Sequence, residues 1–405
     1  MKCALITIGN ELLSGMTVNT NAAWIGNEFQ NIGVSVNYHV TIPDEIDLIK
    51  SILKQVAKDH DIVITTGGLG PTHDDITPTA LYEYFNSKLT YDEEYWEQLK
   101  ERFNKFHKKI PELNRSQVIK PHNGIMIPNP VGSARGLHFV KGDKWFFSMP
   151  GVPAEMKGMM SETIIPMLKG RSNNEIHVKT IRITGVPESG LAESLDDIIR
   201  KYNSCSFAFY PNLLEVNVRI TSSDISTLKS VVEETIQKIG DSIFGFDDDS
   251  LESVVGKCLS EKGYTISTAE SCTGGLIGHR LTEVSGSSEY YLGGIVSYSN
   301  MAKMKFLNVK EDTLNKVGAV SSETAAQMAE GVRKVFESDI GISVTGIAGP
   351  GGGTDEKPIG TVYFGLALPD KTIVKHRVFG KNRTRNKQRS SQYALNMIRL
   401  ALNEY

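Results

Sequence analysis

The first 70 residues switch repeatedly between two hydrophobic periods. ALITIG at 4–9 is an unbroken apolar run of strand length, and VSVNYHVTI at 34–42 alternates apolar with polar positions. Between them, from Ala22 to Gln30, apolar positions recur at helical spacing. DLIKSILKQVA at 47–57 does the same, and DIVITTGG at 61–68 reads as a buried strand ending in glycines. Strand, helix, strand, helix, strand predicts a parallel sheet covered on both faces. Helical patterns follow at 78–86 and 92–108, and KWFFSMPGVPAEM at 144–156 gives a strand, a Pro/Gly turn and a helix start. This block is expected to span 1–170.

RSNNE at 171–175 is a polar break. A smaller α+β unit is predicted over 176–246: the strand IHVKTIRIT, a helix from Glu188 to Tyr202, two short strand patterns and a helix over 224–239. DDDS at 247–250 is the next break and ends on Ser250, a residue type that caps helices. From 251 to 405 a second layered domain is expected. It reads helix, strand TISTAES, helix, strand GGIVSYS, two short helices, a helix over 322–337, strand DIGISVTG, strands GTVYFGLAL and TIVKHRVF, and a C-terminal helix. The fold class is therefore α/β, two layered domains joined by a small α+β unit.

Composition narrows the partners. The 405 residues are 40% apolar and 22% charged, with a formal net charge of −3, which argues against nucleic acid or a membrane surface. Cys3, Cys205, Cys258 and Cys272 have no metal-clip spacing and are too few for a disulfide scaffold, so reduced thiols in the cytoplasm are expected. The opening MKCALITIGNELLSG has too short an apolar run for a signal peptide, and no stretch approaches the ~20 apolar residues that span a bilayer.

TAESCTGGLIG at 268–278 places Ser271 and Cys272 side by side at a strand-to-helix turn. Free backbone N–H groups at the helix start could hold an oxyanion next to a reacting serine. Ser271 or Thr273 acting only as a helix cap is the competing reading. A reacting serine needs a base. His279 would lie about 12 Å down the helix at ~1.5 Å per residue, too far to touch Ser271. His376 falls in a strand pattern with no acid spaced to orient it. A lysine remains, and YSNMAKMKF at 298–306 offers Tyr298 and Lys303 after a strand and at the opening of a short helix. A lysine base must be neutral, and lowering its pKa from ~10.4 to 7–8 by burial costs roughly 4 kcal/mol. Two exposed surface residues are the competing reading. VTGIAGPGGGTDEKPIG at 344–360 leaves a strand for a glycine-rich loop whose N–H groups could cradle phosphate, although no Walker Gly-Lys-Ser/Thr follows. The basic run GKNRTRNKQR at 380–389 could pair with that phosphate.

Together TAESCTGG, GGIVSYSNMAK, GAVS, VTGIAGPGGG and KPIGTVYFGLA resemble, in order and over essentially all of 251–405, the C-terminal domain of the competence/damage-inducible (CinA) family. The resemblance implies a nicotinamide mononucleotide amidohydrolase with Ser271 as nucleophile, completed by Tyr298 and Lys303, with Thr345 in the site. It implies ligand contacts from Thr273, Gly274, Gly275, Gly346 and Gly349, and a phosphate contact at the basic helix start, where Arg383, Arg385 and Arg389 are the alternatives. On this reading Ser271 attacks the carboxamide carbon and Lys303 takes its proton with Tyr298 as relay. Ammonia leaves, and water releases nicotinic acid mononucleotide without a cofactor. Cys272 is expected to pack as a small buried residue.

In the first block, TTGGLGPTHDDIT at 65–77 joins a glycine-rich strand end to the paired acids Asp74 and Asp75. Glycines let backbone approach an anion, and carboxylates hold a divalent metal that neutralises it. GNELLSGMTVNTN at 9–21 adds Glu11, Ser14, Asn19 and Asn21 beyond another strand end, and PNPVGSARG and MPGVPAEM supply further loops. This block resembles the molybdopterin-binding fold of the MoaB/MogA proteins and, more closely, the N-terminal domain of the CinA family. That resemblance implies an ADP-ribose pyrophosphatase giving AMP and ribose 5-phosphate. It would depend on a divalent metal (Mg, Mn or Co, with potassium) at Asp74 and Asp75. Substrate contacts would come from Glu11, Asn19, Gly67, Gly68, Gly70, Thr72, Ser133 and Glu155. The unit over 176–246 is similar to the family's KH-like domain, but it has no GxxG, so a spacer or dimer element is expected instead of an RNA reader.

The leading expectation is a cytoplasmic, homodimeric hydrolase with two activities that salvages breakdown products of NAD. A protein of molybdenum cofactor synthesis and a non-enzymatic competence factor that recruits RecA are the alternatives. The intact set of Ser271, Tyr298 and Lys303 argues against a purely structural role.

Overall fold

The computed structural model describes residues 1–105, 107–171 and 176–404. All of the polar break at 171–175 except Arg171 lies outside the described residues. Two compact units divide the chain, Met1–His177 and Val178–Tyr405.

The first unit is built on a six-stranded sheet, ordered Ser35–Ile42, Lys2–Ile8, Ile62–Thr66, Lys144–Met149, Gly136–Lys141, Gly124–Ile127. The first four strands are parallel. Lys2–Ile8 shows why helices cover both faces. Cys3 and Leu5 pack with Phe29 and Met156 on one side, while Ala4, Ile6 and Ile8 pack with Ile49 and Leu53 on the other. The parallel pairing expected of the strands within 4–68 is present, and the last two strands of the sheet add antiparallel pairs. The cause is local. Only Gly142 and Asp143 separate Gly136–Lys141 from Lys144–Met149, and Gly142 has φ +63°, so the connection is too short for anything but a hairpin.

The second unit holds two sheets. One has four strands, ordered Ser206–Pro211, Val216–Ser222, His177–Ile183, Ile243–Phe246. The helices Glu188–Lys201 and Ile225–Ile239 share its core through Leu191, Leu195 and Val231. The other has five strands, ordered Tyr291–Val296, Ile266–Glu270, Ile340–Gly346, Thr361–Ala367, Thr372–Val378. Its first three strands are parallel and its last two antiparallel. Helix Ser322–Phe336 packs on one face through Met328 and Val332, and Leu251–Lys262 and Arg383–Glu404 pack on the other. Ser250 does cap Leu251–Lys262, its hydroxyl accepting from the Ser253 N–H at 3.2 Å while the Ser253 hydroxyl accepts from the Ser250 N–H at 3.0 Å. No helix among the described residues is long and apolar enough to cross a membrane.

Candidate active sites

Both layered sheets open at the C-terminal ends of their parallel strands, the edge where α/β sheets collect ligand groups. In the last domain Ser271 follows Ile266–Glu270, Lys303 follows Tyr291–Val296, and Thr345 ends Ile340–Gly346. Ser299 starts the helix that carries Lys303, its hydroxyl accepting from the Ala302 N–H at 3.1 Å. That helix turns Lys303 and Leu307 inward. Lys303 is 1% exposed. Its Nζ donates to the Ser271 Oγ at 3.1 Å and to the Ser297 carbonyl at 2.7 Å, and no carboxylate pairs with it among the described residues. Burial holds its pKa below the ordinary lysine value. The turn thus contains a hydroxyl in contact with a buried amine that is driven toward its neutral form.

The helix after the turn is not capped by Ser271 or Thr273, nor are its N–H groups open. The carboxylate of Glu270, 1% exposed, accepts from the N–H groups of Gly275 (2.9 Å), Ile277 (3.1 Å) and Gly278 (2.9 Å). This corrects the expectation that these groups would hold an oxyanion, since an anion from the chain already takes them. Among the described residues no backbone bond takes the Thr273 N–H, two positions after Ser271, while the Cys272 N–H is turned toward its own thiol. The Thr273 N–H is therefore the donor left available beside Ser271. The sequence reading missed Glu270, although an acid directly before the nucleophile was a visible signal. Cys272 sits in the core, and burial pushes its thiol up to about 12. The thiolate that a cysteine nucleophile needs is therefore suppressed.

Tyr298 is 63% exposed, and among the described residues its hydroxyl makes no hydrogen bond to Ser271 or Lys303. Its hydroxyl accepts from the Arg383 Nη2 at 2.9 Å, and the Arg383 Nη1 donates to the Gly349 carbonyl at 2.8 Å. Arg383 therefore ties the glycine-rich loop to the loop after Tyr291–Val296. A Cβ placed on Gly274 would lie 3.5 Å from the Lys387 Nζ, so Lys387 adds a second cation over the turn. Arg385 is exposed, with its N–H received by Asn382. Arg389 lines a different cavity. The Thr345 hydroxyl is buried and donates to the Ala319 carbonyl at 2.7 Å, joining the strand end to the GAVS segment. Thr273 is fully buried and its hydroxyl has no partner. Gly274 and Gly275 have φ of +63° and +94°, which keeps the turn tight. Gly346 packs against the Thr361 carbonyl.

In the first unit a cavity of about 420 Å³ opens at the same kind of edge. It brings together Glu11, Gly67, Gly68, Gly70, Asp74, Asp75, Ser133 and Glu155, and it adds Asp44 and Gln117, which the sequence reading missed. Asp44 lies just past the end of Ser35–Ile42, so strand order was its signal. Burial first, then Glu11, Asp74 and Asp75, push the Asp44 carboxyl above its ordinary value, while the Asn10 N–H opposes them. Burial also raises Glu155, against a 2.7 Å bond from Asn129. Three of the acids back onto glycines, so that a Cβ on Gly9, Gly70 or Gly132 would strike Glu11, Asp75 or Glu155. Gly67, at φ +116°, admits no side chain at all, since a Cβ would lie 2.0 Å from the Ile8 carbonyl oxygen. Two residues stand outside this cavity. Thr72 donates its N–H (2.9 Å) and hydroxyl to Asp75, and Asn19 caps Thr20–Asn31 while bonding Thr7 at 3.0 Å. Among the described residues no three His, Cys, Asp or Glu side chains stand in metal-ligating geometry. A magnesium-like ion held by one or two carboxylates together with substrate phosphates asks for fewer. The cavity lining carries Glu11, Asp44, Asp74, Asp75 and Glu155 and no basic side chain among the described residues, an excess of negative charge that such an ion would relieve, so the donor set fits one.

Comparison with known proteins identifies the three domains. Residues 248–402 match the family described as CinA C-terminal domain, 4–170 match "Probable molybdopterin binding domain", and 178–245 match the damage-inducible protein CinA KH domain. A competence-damage inducible protein of Clostridium novyi (strain NT) is 41% identical over 408 residues, covering 99% of each chain. Its counterpart in Clostridioides difficile (strain 630) is 40% identical over 415 residues, again covering 99% of each. The solved structure of competence/damage inducible protein CihA from Agrobacterium tumefaciens is 41% identical, covering 38% of this chain and 93% of its own at a TM-score of 0.37. With identity of this order along the whole length of both chains, the chain belongs to the CinA family of competence-damage inducible proteins.

Proposed function

We propose that the last domain deamidates nicotinamide mononucleotide and that the first hydrolyses ADP-ribose to AMP and ribose 5-phosphate. The observation that carries the first activity is the contact between the Ser271 Oγ and the Nζ of a buried lysine without a counter-ion. Neutral Lys303 takes the hydroxyl proton as the Ser271 Oγ bonds to the carboxamide carbon. The oxyanion that forms is met by the available N–H group of Thr273. Lys303 returns its proton to the leaving nitrogen and ammonia departs. Water, deprotonated by the same amine, then breaks the Ser271 ester and gives nicotinic acid mononucleotide. Arg383 and Lys387 meet the ligand phosphate, and Tyr298 orients Arg383.

In the first domain Asp74 and Asp75 would hold the metal, with Asp44 and Glu11 facing them across the cavity. Bound there, a divalent ion supplies charge neutralisation at the pyrophosphate. The glycine edge at 67–70 lets that group approach the backbone, and Glu155, whose carboxyl is raised, is placed to bind a ribose hydroxyl or move a proton. A second reading has one observation in its favour: the match of 4–170 to a molybdopterin-binding domain supports a binding module for a phosphorylated pterin in the same cavity. The test is to incubate the purified full chain with nicotinamide mononucleotide and with ADP-ribose plus magnesium, and to assay ammonia and AMP. Ammonia release that Ser271→Ala removes supports the deamidase. No ammonia from the unaltered protein rejects it, and no AMP leaves the first cavity to the binding reading.

A further inference from the structure

Within the second compact unit, a cavity of about 790 Å³ lies between the KH unit and the last domain, far larger than a packing defect and within the usual range for organic ligands. Neither proposed reaction uses it. One side is the edge strand Thr372–Val378 and its continuation. Alternate residues Lys375, Arg377 and Phe379 line the cavity, as the period of a strand requires. Beside them the helix Arg383–Glu404 presents Arg389, Gln392 and Tyr393, three and four residues apart and so on one stripe. The KH unit closes the other side with the loop at 184–188 and the turn at 211–216. Gln392 spans the two walls, its Nε2 donating to the Thr184 Oγ1 at 3.3 Å.

The charges are sorted. Lys375, Arg377 and Arg389 come from the last domain, and none forms an ion pair among the described residues; Arg377 donates to the His376 carbonyl at 3.1 Å and lies 4.8 Å from the Tyr393 ring centre. The acids are on the KH side, where Glu215 is already paired with Arg182 at 3.2 Å while Glu188 and Asp241 stand at the rim. Three uncompensated cations next to two aromatic rings suit a ligand with a phosphate at one end and a flat ring at the other. Stacking on Phe379 or Tyr393 would bury the ring, and the cations would meet the phosphate without having to break an existing salt bridge. We propose that this cavity is a third ligand site and that it binds a nucleotide. Arg389, left open by the sequence as a contact for the substrate phosphate, belongs to this site. Because the ligand touches both walls, its binding stabilises the KH unit and the last domain together.

The probe is ATP, used at millimolar concentration with the full chain, and the readout is backbone hydrogen exchange rather than turnover. The result expected is slowed exchange over 372–379, 389–401 and 184–188, with a raised midpoint of thermal unfolding. Lys375→Glu with Arg377→Glu should weaken that protection at least tenfold while leaving deamidation without ATP unchanged. Protection confined to 67–75 or to 271–275 and 345–350, or none, would overturn the proposal. So would protection of 372–379 that grows with protein concentration in the absence of ATP, since the occupant would then be a second copy of the chain. Exchange reports binding whether or not the deamidase assignment holds, so the two can fail separately.

Discussion

The two candidate sites obey one topological rule and use opposite electrostatics. Each lies where parallel strands end and glycines open the edge. In the last domain Ser271 and Lys303 already touch, and the turn that carries Ser271 is held by a carboxylate spent entirely on backbone N–H groups. In the first domain the acids do not satisfy one another. They ring a cavity, burial and then the neighbouring acids raise the Asp44 pKa, and Glu11, Asp75 and Glu155 back onto glycines. A cation buried without a partner makes a base. Anions gathered without a partner make a site for something positive. The comparison teaches that the first kind of site can be complete within the chain, while the second is completed by what binds.

The sharpest way to break this contrast is at the preformed pair. Ser271→Ala is expected to lower deamidation by about 10³-fold or more while ADP-ribose hydrolysis is retained. Lys303→Arg should be as damaging, because arginine stays protonated at any working pH. The pH profile supplies the sign. Lys303 is active when deprotonated and its pKa is lowered by burial, so kcat/KM should rise with pH and level off below the ordinary lysine range. An active Lys303→Arg enzyme would show that Lys303 only holds charge. The incomplete site should fail differently. EDTA, or Asp75→Asn with metal present, is expected to reduce ADP-ribose hydrolysis by roughly 10²-fold and to leave ammonia release untouched. If EDTA stops deamidation as well, the last domain is not self-sufficient.

Smaller effects sharpen the picture. Glu270→Gln presents an amide N–H₂ to backbone donors, leaving at least one buried N–H unpaired at about 1–3 kcal/mol. Deamidation kcat should fall about 10- to 100-fold with KM nearly constant and the alkaline plateau unmoved, because the turn shifts while Lys303 keeps its environment. Loss of substrate affinity instead would make Glu270 a determinant of binding. Cys272→Ala should keep most activity and lower stability by about 1 kcal/mol, the scale of a small cavity in a packed core. A dead Cys272→Ala enzyme with an active Ser271→Ala one would reverse the assignment of the nucleophile.

Period and turn chemistry already determine much of this protein. The alternation in 34–42, the helical spacing in 47–57 and the apolar run in 61–68 specify a layered α/β unit, because each element has one way to hide its apolar face. Ser250 is legible as a cap for the same local reason. Motif order likewise brings Ser271, Lys303 and Thr345 to one sheet edge, since each follows a parallel strand. Tertiary structure alone decided what those neighbours do. Whether Lys303 is neutral depends on its own helix, Asn300–Leu307, turning it into the interior, and no residue adjacent in sequence reports that. Glu270 and the helix start it occupies are local in sequence, yet only the three-dimensional turn shows the carboxylate folded back onto Gly275, Ile277 and Gly278. Arg383, Lys387 and Arg389 sit within seven residues on one basic run, and their spacing around a helix sends the first two toward the turn and the third into another cavity. Pattern reports which way a residue faces within its own element. Charge state and partner depend on what the rest of the chain packs against that face, and that contact is made only when the chain has folded.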